Sequence, residues 1–194
     1  MSNKRRGSSD FRRASGGSSL RPTTSKVKSA IFSMLGPAGT SGLRVLDIYA
    51  GTGALGIEAL KRGATNAVFI EQNRRRCDDI KKALEKHKLA MQSSVQTGNA
   101  LNVVGRLQGE FDLIFADPPY DLVEFEALFH KVSEAHLIAP NAIVFAEHSK
   151  MTKLSDALPG LKLSTHRLYG DTAVSVYKSA TDTSPYSGTA TGGE

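Results

Sequence analysis

The sequence predicts a mostly parallel, doubly wound α/β sheet of seven strands that closes on an antiparallel hairpin. Three observations carry this prediction. Short apolar runs alternate with segments of helical periodicity from residue 43 to residue 147, the pattern of consecutive strand-helix units. Leu43-Arg-Val-Leu-Asp-Ile48 leads directly into a glycine turn, Gly51-x-Gly53-x-x-Gly56, and then a helix. Phe111-Asp-Leu-Ile-Phe-Ala116 is apolar without strict alternation, as in a strand covered on both faces, and stops at Asp117-Pro118-Pro119-Tyr120, where the prolines can donate nothing to a ladder.

The first 20 residues are rich in Ser, Gly and Arg with almost no apolar side chains, a composition that cannot offset its own ordering entropy. They are expected to form a disordered arm. Its Arg/Ser bias also suits an organelle transit peptide, although Gly7, Gly16 and Gly17 weaken an amphipathic helix. Order is expected from Leu20-Arg-Pro-Thr-Thr24, with a Thr or Ser25 capping a helix that turns Val27, Ala30, Ile31, Met34 and Leu35 to one face. Gly36-Pro37 stops that helix.

The first strand, glycine turn and helix follow, the helix running through Leu60 and ending at Gly63. Ala67-Val-Phe-Ile-Glu71 reads as a second strand, and Asn73 as the cap of a helix with Cys77, Ile80, Leu84 and His87 inward. Ser94–Thr97 is a short third strand, and Gly98-Asn99-Ala100 opens a weak helix. Beyond the fourth strand, Phe125, Leu128, Phe129 and Val132 mark a helix and Ala142–Glu147 a fifth strand. Residues 162–168 and 172–178 flank Tyr169-Gly170-Asp171 as a hairpin. The ordered domain is expected over residues 21–178, with a disordered Ser/Thr/Gly-rich tail over 179–194.

Composition narrows the functional classes. A chain of 194 residues, 40% hydrophobic, can bury one sizeable core. No long apolar run or signal-type segment is evident, so a cytoplasmic protein without membrane attachment is expected. The single cysteine, Cys77, and five scattered histidines offer no zinc-ligand spacing, and no metal is expected. The net charge of +6 is concentrated in the first 28 residues, which hold eight Lys/Arg and one Asp. A basic arm on a near-neutral body suits a polyanion such as nucleic acid, or serves only as a solubilising tail.

The glycine turn fits any adenosine cofactor that needs close backbone approach, and Glu71 stands 20 residues after Gly51, where an acid binds ribose hydroxyls. Asp47 helps to choose among cofactors. Before the turn, a carboxylate opposes a dinucleotide's pyrophosphate but attracts the sulfonium and ammonium of S-adenosylmethionine. Purely local alternatives exist: Asp47 as an acceptor of backbone hydrogen bonds in the turn, Gly53 and Gly56 as packing glycines, Asn99 as a helix cap. At the other loop, Asp117 and the Pro118 carbonyl can accept both hydrogens of an exocyclic amine. Pro119 stiffens the loop and Tyr120 offers a stacking face for a base. Metal-free methyl transfer to an aromatic amine needs such an arrangement.

Asp47-Ile-Tyr-Ala-Gly-Thr-Gly-Ala-Leu-Gly-Ile-Glu58, Arg62-Gly-Ala64, Phe69-Ile-Glu71, Asn99-Ala100 and Asp117-Pro-Pro-Tyr120 together resemble the Rossmann-like class I methyltransferases that act on amino groups. Arg21-Pro-Thr-Thr followed by Val27-Lys-x-Ala-Ile-Phe32-x-x-Leu35 resembles the RsmD-like family, bacterial 16S ribosomal RNA guanine-N2 methyltransferases. The resemblance spans roughly residues 20–178 and implies S-adenosylmethionine held by Asp47, Tyr49, Ala50, Gly51 and Gly53 of one loop. Glu71 and Gln72 would act at the second strand, Asn99 and Ala100 at the third. Catalysis falls to Asp117, Pro118, Pro119 and Tyr120.

The same resemblance implies a target in small-subunit RNA, guanine 966, on a particle or its assembly intermediate, with the enzyme acting as a monomer. Arg12, Arg13, Arg21, Thr23, Lys26 and Lys28 are the candidate RNA contacts. Arg74, Arg75 and Arg76 are further ones, unless they pair along their helix with Asp78 and Asp79. The family opens on a basic β-hairpin, whereas Phe11–Leu20 carries too few apolar residues for two strands. Competing functions are a DNA amino-methyltransferase, an NAD(P)-dependent oxidoreductase and a non-catalytic RNA-binding module.

Overall fold

The computed structural model describes residues 25–118 and 122–179, with the side chains of residues 122 and 123 left aside. The expected arm, Arg12, Arg13, Arg21, Thr23, Pro119, Tyr120 and the tail from residue 180 lie outside the described residues. The elements run α1 (Ser25–Met34), β1 (Arg44–Ile48), α2 (Ala54–Lys61), β2 (Asn66–Glu71) and α3 (Arg74–Lys86). A 3-10 turn (Ala90–Gln92) precedes β3 (Ser93–Thr97), α4 (Ala100–Val104), β4 (Phe111–Ala116), α5 (Leu122–Glu134) and β5 (Ile138–Ser149). The chain closes with β6 (Ala157–Leu158), β7 (Leu161–Tyr169) and β8 (Thr172–Ser179).

The described strands form one sheet in the order β3-β2-β1-β4-β5-β8-β7-β6. The first five are parallel. β8 inserts antiparallel between β5 and β7, which completes the expected hairpin. The eighth strand, absent from the sequence reading, is the two-residue β6 on the β7 edge. It is too short to leave a periodic signal. β5 also begins earlier than expected, at Ile138. Within this earlier part Asn141 takes a left-handed φ of 65° and the β4–β5 register shifts between Phe111 and Leu113, an irregularity inside the strand.

Alternation along the strands builds two cores. On one face Leu46, Ile48, Ile70, Ile114, Ala116, Val144 and Ala146 pack under α4 and α5. On the other Val45, Phe69, Leu113, Phe115 and Phe145 pack under α1, α2 and α3. α1 buries Val27 and Ile31 as its spacing predicts, with Ala30, Met34 and Leu35 half-buried. It also buries Phe32, whose ring centroid stands 6.0 Å from that of Phe115, so the helix turns more toward the sheet than a single apolar stripe suggests. On α3, Cys77, Ile80 and Leu84 are buried. His87 is exposed, correcting its inward placement, because it is the C-cap residue and the helix has already ended. Among the described residues no helix is long and apolar enough to cross a membrane.

Candidate active site

The loop after β1 is fixed by backbone conformation and by two carboxylates. Tyr49 and Gly51 both take left-handed φ values, 60° and 57°. Such a conformation is costly for a bulky side chain, and it is held because the flanking groups are bonded. Ala50 N donates to Ile70 O at 2.9 Å and Gly53 N to Ala50 O at 2.7 Å. Gly51 N donates to Glu71 Oε2 at 2.9 Å, so the loop is tied to β2 both by its main chain and by the acid predicted to bind ribose.

Asp47 points from β1 to the start of α2, where its Oδ2 accepts from Gly56 N at 2.9 Å. The local alternative considered for Asp47 is thus realised: it satisfies an otherwise unbonded amide in the first turn of the helix. That placement also bears on the cofactor. The N-terminus of α2 is where a dinucleotide would seat its pyrophosphate, and a buried carboxylate, 4% exposed, already holds the position. Gly56 is obligatory here. A Cβ on it would overlap the Phe69 ring and approach Asp47 Oδ2 to 3.1 Å.

Glu71 is equally enclosed, at 5% exposed. Its Oε1 accepts from Asn73 N at 2.8 Å and lies 3.8 Å from Arg76 Nη1. A carboxylate has about four acceptor directions, so these bonds leave capacity for ligand hydroxyls. Asn73 caps α3 as expected, accepting from Arg76 N at 3.3 Å. Gly98 N donates to Glu71 O at 3.0 Å, which sets the loop carrying Asn99 and Ala100 beside the acid. Asn99 occupies the cap position of α4 but makes no side-chain capping bond. Its exposed amide remains available, as does that of Gln72. Ala100 is buried in the core under α4.

Burial pushes the Asp47 carboxyl up to about 7, with Asp117 and Glu71 adding repulsion and the Gly56 amide opposing it. Asp117, just past β4, is likewise raised to about 7 by burial and then by the charge of Glu147. Asp47, Glu71, Asp117 and Glu147 lie at or near the C-terminal ends of four neighbouring parallel strands, β5 running on to Ser149. Arg76 stands beside one of the four, its Nη1 3.8 Å from Glu71 Oε1. Asp47 and Glu71, which hold the glycine loop and the start of α2, suit a ligand carrying positive charge and hydroxyls, and the bonded loop gives the close backbone approach it needs. The residues present thus fit S-adenosylmethionine, with its sulfonium, ammonium and ribose.

Several candidates sit elsewhere. Tyr49 turns its ring against the α4/α5 core and donates from its hydroxyl to Glu124 Oε1 on α5 at 3.0 Å; burial first, and then this bond, raises the phenol well above its usual range. Lys26 is exposed, and Lys28 Nζ lies 3.9 Å from Glu58 Oε2. Arg74 and Arg75 are exposed and make no ion pair with Asp78 or Asp79 among the described residues. Glu147 escaped the sequence reading. The signal that could have found it is the acid ending the predicted fifth strand, as Asp47, Glu71 and Asp117 end or follow the others.

Comparison with known proteins identifies the family. The model of the family described as Conserved hypothetical protein 95 matches residues 11–178. YlbH of Bacillus subtilis is 34% identical over 169 residues, covering 86% of this chain and 91% of its own. The Ribosomal RNA small subunit methyltransferase D of Escherichia coli is 29% identical over 159 residues, covering 82% and 79%. The solved structure of yhhF from Escherichia coli superposes with a TM-score of 0.74 at 27% identity, covering 83% of this chain and 89% of that one. With the family model matched over residues 11–178 and its relatives covered over most of their length, the chain belongs to the Conserved hypothetical protein 95 family as an RsmD-like, S-adenosylmethionine-dependent class I methyltransferase.

Proposed function

We propose that this chain methylates the exocyclic N2 amine of a guanine in 16S ribosomal RNA, at position 966, on the small subunit or its assembly intermediate in the cytoplasm. The observation that carries the reading is the position of Asp117. It follows β4, borders Pro118, and lies close enough to the cofactor-side acid Asp47 for their charges to interact. The names borne by the relatives support RNA of the small subunit as the substrate class.

Bound S-adenosylmethionine supplies an electrophilic methyl group on its sulfonium. Asp47 favours that positive charge, Gly51 and Gly53 admit the cofactor against the backbone, Glu71 takes the ribose hydroxyls, and Asn99 or Gln72 meets the adenine. On the substrate side, Asp117 Oδ and the Pro118 carbonyl accept the two N–H bonds of the amine. Two acceptors fix the nitrogen and favour localisation of its lone pair out of the ring. As the N–C bond forms, the methyl–sulfur bond would break and leave a neutral thioether, and one N–H proton would pass to the Asp117 carboxylate. An acid whose ordinary affinity for protons has been raised by burial serves this role better than an exposed aspartate. Tyr120 stacks on the base, and Arg12, Arg13, Arg21, Thr23, Lys26 and Lys28 contact RNA phosphates.

The test is incubation of the protein with labelled cofactor and, separately, unmodified small-subunit particles, free 16S RNA and duplex DNA, followed by mass mapping of the labelled nucleotide. Label on one guanine of the particle or its RNA is the expected result. Label on DNA alone overturns the proposal in favour of a DNA amino-methyltransferase.

A further inference from the structure

Nothing in the reaction so far uses Glu147. It follows Ala146 on β5, and Ala146 is paired in parallel register with Ala116 of β4. Glu147 and Asp117 are thus the next residues on adjacent strands. Two positions earlier, Phe145 and Phe115 both point into the core under α1–α3, with ring centroids 6.0 Å apart. Every second side chain returns to the same face, so the two carboxylates leave the sheet side by side, on strands about 4.8 Å apart. At that spacing the charge of Glu147 adds to burial in raising the Asp117 carboxyl. Glu147 is only 9% exposed.

The base supplies a use for this carboxylate. The Watson–Crick edge of guanine carries donors on adjacent atoms, the N2 amine and N1–H. Adenine and cytosine place a ring acceptor beside their amine instead. If Asp117 and the Pro118 carbonyl take the amine hydrogens, N1–H lies one atom further along the same edge and loses water when the base enters the site. We propose that Glu147 is a specificity-determining residue for guanine, its carboxylate accepting N1–H while Asp117 holds the neighbouring amine. This inference rests on the guanine-N2 reading above. A carboxylate has several acceptor directions, so a base N–H can be added to the bonding Glu147 has within the protein. Against adenine or cytosine, the same oxygen would face a ring nitrogen lone pair, and the repulsion rejects those bases.

The experiment compares two RNAs that differ at the methylated position alone, one with guanine and one with 2-aminopurine, which keeps the amine but has a bare N1. The wild-type enzyme should prefer guanine by at least about 100-fold in kcat/KM, the discrimination expected of a buried acceptor that loses its donor. In Glu147→Gln the side-chain amide can donate to the bare N1, so the preference should shrink by at least about tenfold. Binding of S-adenosylhomocysteine should stay unchanged by calorimetry. An unchanged preference in a folded Glu147→Gln protein overturns the inference. Should that variant not fold, the wild type alone decides: comparable rates on the two RNAs show that N1–H is not recognised. If the wild type methylates neither RNA, the guanine-N2 reading itself fails, and the inference falls with it.

Discussion

At the C-terminal ends of β1, β2, β4 and β5, the residues turned toward α4 and α5 are Ile48, Ile70, Ala116 and Ala146, all buried in one apolar core. Their immediate neighbours, turned toward α1, α2 and α3, are Asp47, Glu71, Asp117 and Glu147, of which Asp47, Glu71 and Glu147 are also buried. The same strands, at the same height, therefore end in hydrocarbon on one face and in carboxylate on the other. Only a period of two along each strand is needed to produce this. The comparison teaches how the fold separates its tasks. One face can be optimised for packing alone, while the other keeps charges that lower stability until a cationic ligand offsets them.

The largest effect is expected at the charged face. Asp117→Ala removes an acceptor of the amine and the acceptor of its proton, and methyl transfer should fall by at least about 1000-fold. S-adenosylhomocysteine affinity should change little in calorimetry, since the substitution acts on the base. In the wild type, kcat/KM should rise with pH through about 7, where Asp117 ionises in the free enzyme. A flat profile would count against a proton-accepting role. On the apolar face, Ile114→Ala makes the opposite separation. Ile114 is fully buried, and its truncation should cost about 2–5 kcal/mol in urea unfolding while cofactor binding by the remaining folded protein is retained.

How much of this was legible depended on range. The glycine turn, the Asn73 cap, Glu71 at its spacing and the Asp-Pro-Pro stop are local signals, and their described residues fold as the sequence suggests. Nothing local marks Glu147 as a neighbour of Asp117. That follows from the β4–β5 register, which the chain fixes only when the sheet assembles. The burial of Phe32 has no local signal because its contact, Phe115, lies far along the chain. β6 has two residues and no pattern. Asp47 was legible both as a charge before the cofactor loop and as an acceptor of backbone bonds in the turn, but which amide it takes, Gly56 N, depends on how closely the helix start approaches β1.

Gly56→Ala probes that approach. Its new methyl would meet the Phe69 ring and the Asp47 carboxylate, so the variant should lose about 1–3 kcal/mol by overpacking. It should also weaken cofactor binding, because the loop and the acid shift together. Scanning calorimetry with and without S-adenosylhomocysteine separates the two effects. Loss of stability with intact ligand affinity would show that Gly56 serves packing alone.

Asp47→Asn reverses the sign. The folded protein holds this carboxyl at about 7 against 3.8 for the unperturbed group. Between those pH values the folded state binds more protons than the unfolded one, so the contribution of Asp47 to stability falls as pH rises from about 4 to about 7 and is level above. The asparagine has no such slope and can still accept from Gly56 N. At pH 8 it should be more stable than the wild type by roughly 1–3 kcal/mol, with the advantage gone near pH 4. The same change should weaken S-adenosylmethionine more than S-adenosylhomocysteine, which lacks the sulfonium charge. Equal weakening of both would remove Asp47 from the electrostatics of the sulfonium.

The smallest effect belongs to Tyr49, the one member of the cofactor loop that reaches the apolar side. Its hydroxyl donates to Glu124, and its ring packs against the core under α4 and α5. Tyr49→Phe keeps the ring and deletes the bond, for about 0.5–1.5 kcal/mol. If the hydroxyl only fastens the loop to α5, stability should drop by that amount and the KM for S-adenosylmethionine should stay within about twofold of the wild type. A larger rise in KM with unchanged stability would mean that the hydroxyl, despite its bond to Glu124, serves the charged face, and the division between the faces would then fail at this loop.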